Sequence, residues 1–180
     1  MTRVALLLGS LRTDSVNRKI AELLRDQAPE GVEVSIVEGL ERLPFYNEEL
    51  DGETVPAEVA SVREAVASAD RILAVTPEYN GTMPAVLNNA IDWLSRPYGQ
   101  GAIVGKPFGV VGAAPTPYGA KWSHADALRS AGIAGGLPVE DVTVSQSTLE
   151  VDPIADDATR ARLLDALQRL VDVDPAALAA

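Results

Sequence analysis

The chain has 180 residues, of which 47% are hydrophobic and 23% charged, the proportions of one soluble globular domain and not of a disordered or fibrous protein. Its formal net charge of −11 opposes nucleic acid, and no apolar run reaches the roughly 18 residues that cross a bilayer. The lack of cysteine excludes disulfides, thiolate nucleophiles and cysteine-bound zinc, and the single histidine, His124, cannot form an imidazole cluster.

VALLLG (Val4 to Gly9) reads as a strand buried on both faces. Beyond it Val16, Ile20, Leu23 and Leu24 fall on one stripe of a helix capped by Asp14 or Ser15 and ended by Pro29-Glu30-Gly31. VEVSIV (Val32 to Val37) is a second strand, followed by a loop from Glu38 to Val55 with an acidic tip and a helix from Pro56 to Ala69. RILAVT (Arg71 to Thr76) is the third strand, stopped by Pro77, and Pro84 to Leu94 a helix. FGVVGAA is the fourth strand, Tyr118 to Ala131 a helix, and Val139 to Val144 the last strand. A helix from about Asp156 to Val171 carries Leu163, Leu164, Leu167, Leu170 and Val171 on one face. The pattern implies one domain over 1–173, with a frayed tail at 174–180.

Strands alternating with helices imply a parallel sheet covered on both faces, with ligands bound outside the carboxyl ends of its strands. Three loops lie there. The first, from Ser10 to Asp14, opens a helix, so free backbone N–H groups and the positive end of the helix dipole face one space. Ser10, Ser15 and Asn17 add polar donors and Arg12 a guanidinium, a set suited to a phosphate but equally to simple capping. Neither G-x-G-x-x-G nor G-x-x-x-x-G-K-[ST] is present, which disfavours a dinucleotide-first enzyme and a nucleoside triphosphatase. No G-x-S-x-G elbow supports a Ser-His-Asp triad, so redox chemistry would need a bound cofactor. The second loop, TPEYNGTMP, carries the turn signal Asn80-Gly81 and a tyrosine that serves a flat ring or the packing. The third, GAAPTPYGA, has small residues that allow a close backbone approach.

Three stretches, GSLRTDSVNRKIA, PEYNGTMPAVLNNAIDWLSR and GKPFGVVGAAP, resemble the NAD(P)H-dependent FMN reductases, a family that includes quinone, azo-compound and chromate reductases. The resemblance runs from about Val4 to Val144 and implies a flavodoxin-like α/β sandwich, a five-stranded parallel sheet in the order 2-1-3-4-5. It implies an FMN-phosphate site at Ser10, Arg12, Ser15, Val16 and Asn17, and ring contacts at Pro77, Glu78, Tyr79, Asn80, Gly81, Thr82 and Met83. Ala114, Pro115 and Thr116 would line the other edge of the ring; Ala114 and Ala120 stand where relatives often carry Ser and Gly. The same resemblance implies hydride transfer from NADPH or NADH through FMN to a quinone, flavin or similar acceptor in a ping-pong cycle, with no catalytic side chain and no metal. It also implies a homodimer or homotetramer, with Trp93, Leu94 and Arg96 at or near the interface. Trp122 and His124 read as packing and surface residues. A cytoplasmic protein that binds neither membrane nor nucleic acid is the expectation. A flavodoxin-type FMN electron carrier is the alternative, although the first loop lacks the Thr-rich sequence usual there. A phospho-receiver domain would need an Asp where Thr76-Pro77-Glu78 stands.

Overall fold

A computed structural model describing residues 1–178 runs β1 (Thr2–Leu8), α1 (Val16–Asp26), β2 (Val32–Ile36), α2 (Ala57–Ala67), β3 (Arg71–Val75), α3 (Ala85–Leu94), β4 (Pro107–Ala114), α4 (Lys121–Ile133), β5 (Leu137–Pro138), β6 (Val144–Ser147), α5 (Asp157–Asp172) and α6 (Pro175–Leu178). All strand pairs are parallel, and the sheet order is β2-β1-β3-β4-β5, with β6 also paired to β4. The expected flavodoxin-like order is therefore present.

The central strands are apolar at nearly every position because each face of the sheet has its own helical cover. Ala5, Leu7, Ile72, Ala74, Phe108 and Val110 point to one core with Val62 and Val66 of α2, Leu87, Trp93 and Leu94 of α3, and Ala127 of α4. Val4, Leu6, Leu8, Leu73, Val75 and Val111 point to the other with Ile20 and Leu24 of α1 and Leu163, Leu167 and Leu170 of α5. Alternation of side chains along a strand sends successive residues to opposite layers. No described helix is long and apolar enough to cross a membrane.

Three departures from the expected elements have physical causes. The last strand is not continuous over 139–144: a 3-10 turn at Glu140–Val142 divides it, β5 pairing with the start of β4 and β6 with its end. The turn buries both Val139 and Val142 while Glu140 and Asp141 stay in water. Gly109 makes room, since a Cβ there would lie 2.5 Å from Val142 Cγ1. Helix α4 begins at Lys121, not Tyr118, because Gly119 takes a φ of 61° and closes a turn back to Thr116. The loop from Glu38 to Val55 contains two 3-10 turns, the second capped by Asn47. At the tail, Pro175–Leu178 forms a helical turn that begins at Asp174, and Leu178 packs on the core; residues 179–180 lie outside the described part.

Two polar groups, the half-buried Lys106 and the buried His124, hold the helices in place. The Lys106 ammonium donates to the carbonyls of Val66, Ala67 and Ala69 at 2.6, 2.8 and 2.5 Å, closing the carboxyl end of α2, where a cation also meets the negative end of the helix dipole. Burial pulls the Lys106 pKa below its ordinary value. His124, in the first turn of α4, lies between Ser145 Oγ (2.8 Å from Nδ1) and the Thr76 carbonyl (3.3 Å from Nε2). A carbonyl only accepts, so Nε2 carries the proton and Nδ1 accepts from the Ser145 hydroxyl. Burial lowers the His124 pKa to about 4, against the opposing pull of the Thr76 carbonyl.

Lys106→Met should lower the urea-unfolding free energy by about 1–3 kcal/mol by leaving three carbonyls without their charged donor. His124 is neutral in the fold while the unfolded chain takes up a proton below a pH of about 6.5, so stability falls as pH drops from there towards 4. Denaturant titrations at pH 7.5 and 5 should differ by about 2 kcal/mol more in the natural chain than in His124→Gln.

Candidate functional site

The carboxyl ends of β1, β3 and β4 approach so closely that side chains are excluded at two positions. A Cβ on Gly9 would lie 2.3 Å from Thr76 Oγ1, and one on Gly112 would lie 2.1 Å from the Thr76 carbonyl oxygen and 2.8 Å from Asn17 Oδ1. The strand ladder continues through this point: Gly9 N–H donates to Val75 O at 2.8 Å and Thr76 N–H to Val111 O at 3.0 Å. The carboxamide of Asn17 then ties α1 to β4, donating to the Ala113 carbonyl and accepting from the Ala113 N–H, both at 2.9 Å. Both contacts are buried.

Loop one springs from this junction. Ser15 is the N-cap of α1, its Oγ accepting from the Asn17 N–H at 3.2 Å. Ser10 and Ser15 are buried, Val16 is half-buried and Arg12 is exposed. Among the described residues, the backbone N–H groups of 10–14 donate to no backbone or side-chain acceptor of the protein, while Thr13 and Asp14 form the turn that leads into Ser15. These N–H groups form a row of free donors beside the positive end of α1. At the outer edge Lys19 pairs with Asp14 at 2.7 Å, and that contact lowers the Asp14 pKa.

Loop two is rigid. Asn80 (φ 54°) and Gly81 (φ 74°) are the centre of a two-residue hairpin turn, with Tyr79 and Thr82 exchanging N–H···O bonds of 3.0 and 3.1 Å. Left-handed backbone at both central positions is why Asn-Gly stands there. The first two turns of α4 grip this loop along its length. Ser123 Oγ donates to Pro77 O at 2.8 Å, and Thr82 Oγ1 donates to Asp126 Oδ2 at 2.6 Å. That hydroxyl, then Arg129, holds the Asp126 pKa below the usual range. Glu78 Oε2 accepts the N–H groups of Trp122 and Ser123 at 2.9 and 3.2 Å, supplying the cap that Ala120 cannot.

Loops one and two enclose a cleft of about 410 Å³ lined by Gly9, Leu11, Arg12, Tyr79, Pro84, Ala85 and Val86. Of the residues singled out in the sequence, Arg12 and Tyr79 face it directly, and Ser10, Ser15 and Val16 build the loop beneath. Asn17 and Glu78 have their side chains committed to β4 and α4. Loop three does not line this cleft: Ala114 is fully buried, its carbonyl accepting Thr148 N–H, and the Thr116 hydroxyl closes its own turn on Gly119 O at 2.8 Å. Pro115 is exposed, and Ala120 is enclosed like Ala114. Leu11, Pro84, Ala85 and Val86 were not anticipated as lining; an exposed leucine in a polar loop was the available signal.

Trp93 and Leu94 lie inside their own chain. Both are fully buried, Trp93 donating its indole N–H to Pro44 O at 2.8 Å. Arg96 is half-buried and lies over the ring of Tyr46.

The sequence profile of a family described as NADPH-dependent FMN reductase matches residues 2–149. A quinone reductase of Pseudomonas putida is 46% identical over 116 residues, covering 64% of this chain and 62% of that protein. A quinone reductase of Escherichia coli K12 is 40% identical over 124 residues, covering 64% of this chain and 65% of that protein. The chain thus spans less than two thirds of the length of these relatives. The structure of FerB, a flavoenzyme NAD(P)H:(acceptor) oxidoreductase from Paracoccus denitrificans, superposes with a TM-score of 0.85 at 31% identity, covering 96% of each chain. The chain belongs to the NADPH-dependent FMN reductase family.

Proposed function

We propose that this protein is an FMN-dependent NAD(P)H oxidoreductase of the quinone reductase kind, with its flavin site in the cleft between loops one and two. The row of free N–H donors at 10–14, on the loop that lines that cleft through Leu11 and Arg12, is the feature that carries this reading. A terminal phosphate fits such a row: it is small, doubly charged and satisfied by backbone donors without displacing any existing hydrogen bond. Bound FMN supplies hydride acceptance from a reduced nicotinamide and hydride donation to a quinone, flavin or similar acceptor.

The protein's own share is to hold and to exclude. Ser15 keeps α1 capped while its hydroxyl proton stays free to donate, and Ser10 closes the floor of the loop. Arg12 offers a forked cation in an otherwise acidic molecule, so the site binds its anion against the overall field. Gly9 lets a ligand come close to backbone, and Pro84, Ala85 and Val86 give one wall an apolar surface that keeps water off a flat ring. Tyr79, half-exposed on a turn fixed by Asn80-Gly81, stands at the mouth. Asn17 and Glu78 serve by position, Asn17 fixing loop one to the end of β4 and Glu78 fixing loop two to α4. Thr82 adds a second fastening to α4, while Asn80, Gly81 and Met83 shape the turn.

A single open cleft suits donor and acceptor using the same space in turn, a ping-pong cycle needing no acid or base from the protein. Initial rates over a grid of NADPH and quinone concentrations should give parallel double-reciprocal lines. A protein that retains FMN but oxidises neither NADPH nor NADH would be an electron carrier instead. Arg12→Ala should weaken FMN binding about tenfold to a hundredfold, read by flavin fluorescence titration, with the unfolding midpoint of the apoprotein unchanged. Unaltered affinity in that variant would remove the phosphate assignment.

A further inference from the structure

Just beyond loop three, Tyr118 and Trp122 hold their rings 4.7 Å apart at a tilt of 54°, with 55% and 42% of each residue exposed. The Lys121 ammonium lies 5.6 and 5.4 Å from the two ring centroids, and among the described residues Lys121 forms no ion pair. This group is not placed by a floppy segment. The Trp122 N–H is held by Glu78 of loop two, and the turn bearing Tyr118 is closed between Thr116 and Gly119. Two half-exposed aromatic rings on an ordered backbone, with a lysine that has no carboxylate partner in a chain of net charge −11, have a specific complement: a flat π-system carrying negative charge. A second copy of the chain fits poorly, since a two-fold contact through this patch would bring two Lys121 ammonium groups together.

Resting on the function proposed above, we propose that Tyr118, Lys121 and Trp122 bind the adenosine phosphate end of the nicotinamide dinucleotide. The aromatic rings stack on the purine and Lys121 pairs with a phosphate. Loop three, which leads into α4, carries the anchor for the remote half of the donor. Glu78 links the two regions, fixing the anchor's backbone to the loop that borders the cleft. A nucleotide-stacking site on the protein surface needs no sequence of its own beyond exposed rings and a cation, because every base offers a π-face.

The two tryptophans make the test direct, since Trp93 is fully buried and Trp122 is not. Titrating the FMN-loaded protein with adenosine 2′,5′-bisphosphate should quench tryptophan emission saturably and protect it from acrylamide; Trp122→Ala should lose both effects. In steady state Trp122→Ala should raise the KM for NADPH about tenfold with little change in kcat, and Trp122→Phe should recover most of that loss. Lys121→Ala should weaken the bisphosphate more than adenosine itself. A KM for NADPH unchanged in Trp122→Ala overturns the proposal, as does protection that depends on protein concentration and accompanies a shift in sedimentation, which assigns the patch to a second copy. If the natural chain oxidises NADPH yet the Trp122 variants behave like it, this anchor falls and the reductase reading stands. If the natural chain neither holds FMN nor oxidises NADPH, the reductase reading falls, and the bisphosphate titration of the apoprotein still reports on the anchor.

Discussion

Everything at the working end of this molecule follows from how tightly three strand ends are drawn together. Gly9 and Gly112 flank Thr76 at distances that leave no space for a Cβ, so β1, β3 and β4 finish side by side with backbone against backbone. Asn17 then spans from α1 to Ala113 with a paired donor and acceptor, and its carboxamide is the only link from that helix into the β4 backbone among the described hydrogen bonds. The chain leaves β1 towards β2 and crosses back to β3, so a crevice opens where strand order reverses. The cleft lies there because the topology leaves that point uncovered.

Charge is organised against the grain of the composition. A molecule with 26 acidic and 15 basic side chains keeps a positively polarised strip along loop one, made mostly from peptide groups and the end of a helix. Such backbone donors carry no net charge and so do not titrate. Around them, carboxylates are committed elsewhere: Glu78 to α4, Asp126 to Thr82 and Arg129, and Asp14 to Lys19.

Much of this was legible in the residues. Continuous apolar runs such as VALLL and RILAV reveal strands covered on both faces, and Asn80-Gly81 reveals its own turn, since few other pairs tolerate left-handed backbone twice in succession. Local signals failed where a long-range contact decided the outcome. Val139 to Val144 has strand composition, but the space left by Gly109 draws Val142 into a 3-10 turn. Asn17 and Glu78 have the chemistry of ligand contacts, yet partners 96 and 44 residues away claim their side chains. Trp93 likewise sits in a helix with polar neighbours and is nevertheless enclosed by the segment around Pro44. No pattern within a window of neighbouring residues announces such partners.

The fastening of loop two along the first two turns of α4 has a consequence for how the protein can be altered. Ser123, Thr82 with Asp126, and Glu78 with two peptide groups join the segments 76–82 and 120–126 into one mechanical piece. Transplanting either segment alone into a related scaffold would strand its hydrogen-bonding counterparts, whereas moving both together would carry the geometry intact. The smallest transferable module of this protein is therefore discontinuous in sequence, two short stretches about 40 residues apart that behave as a single part.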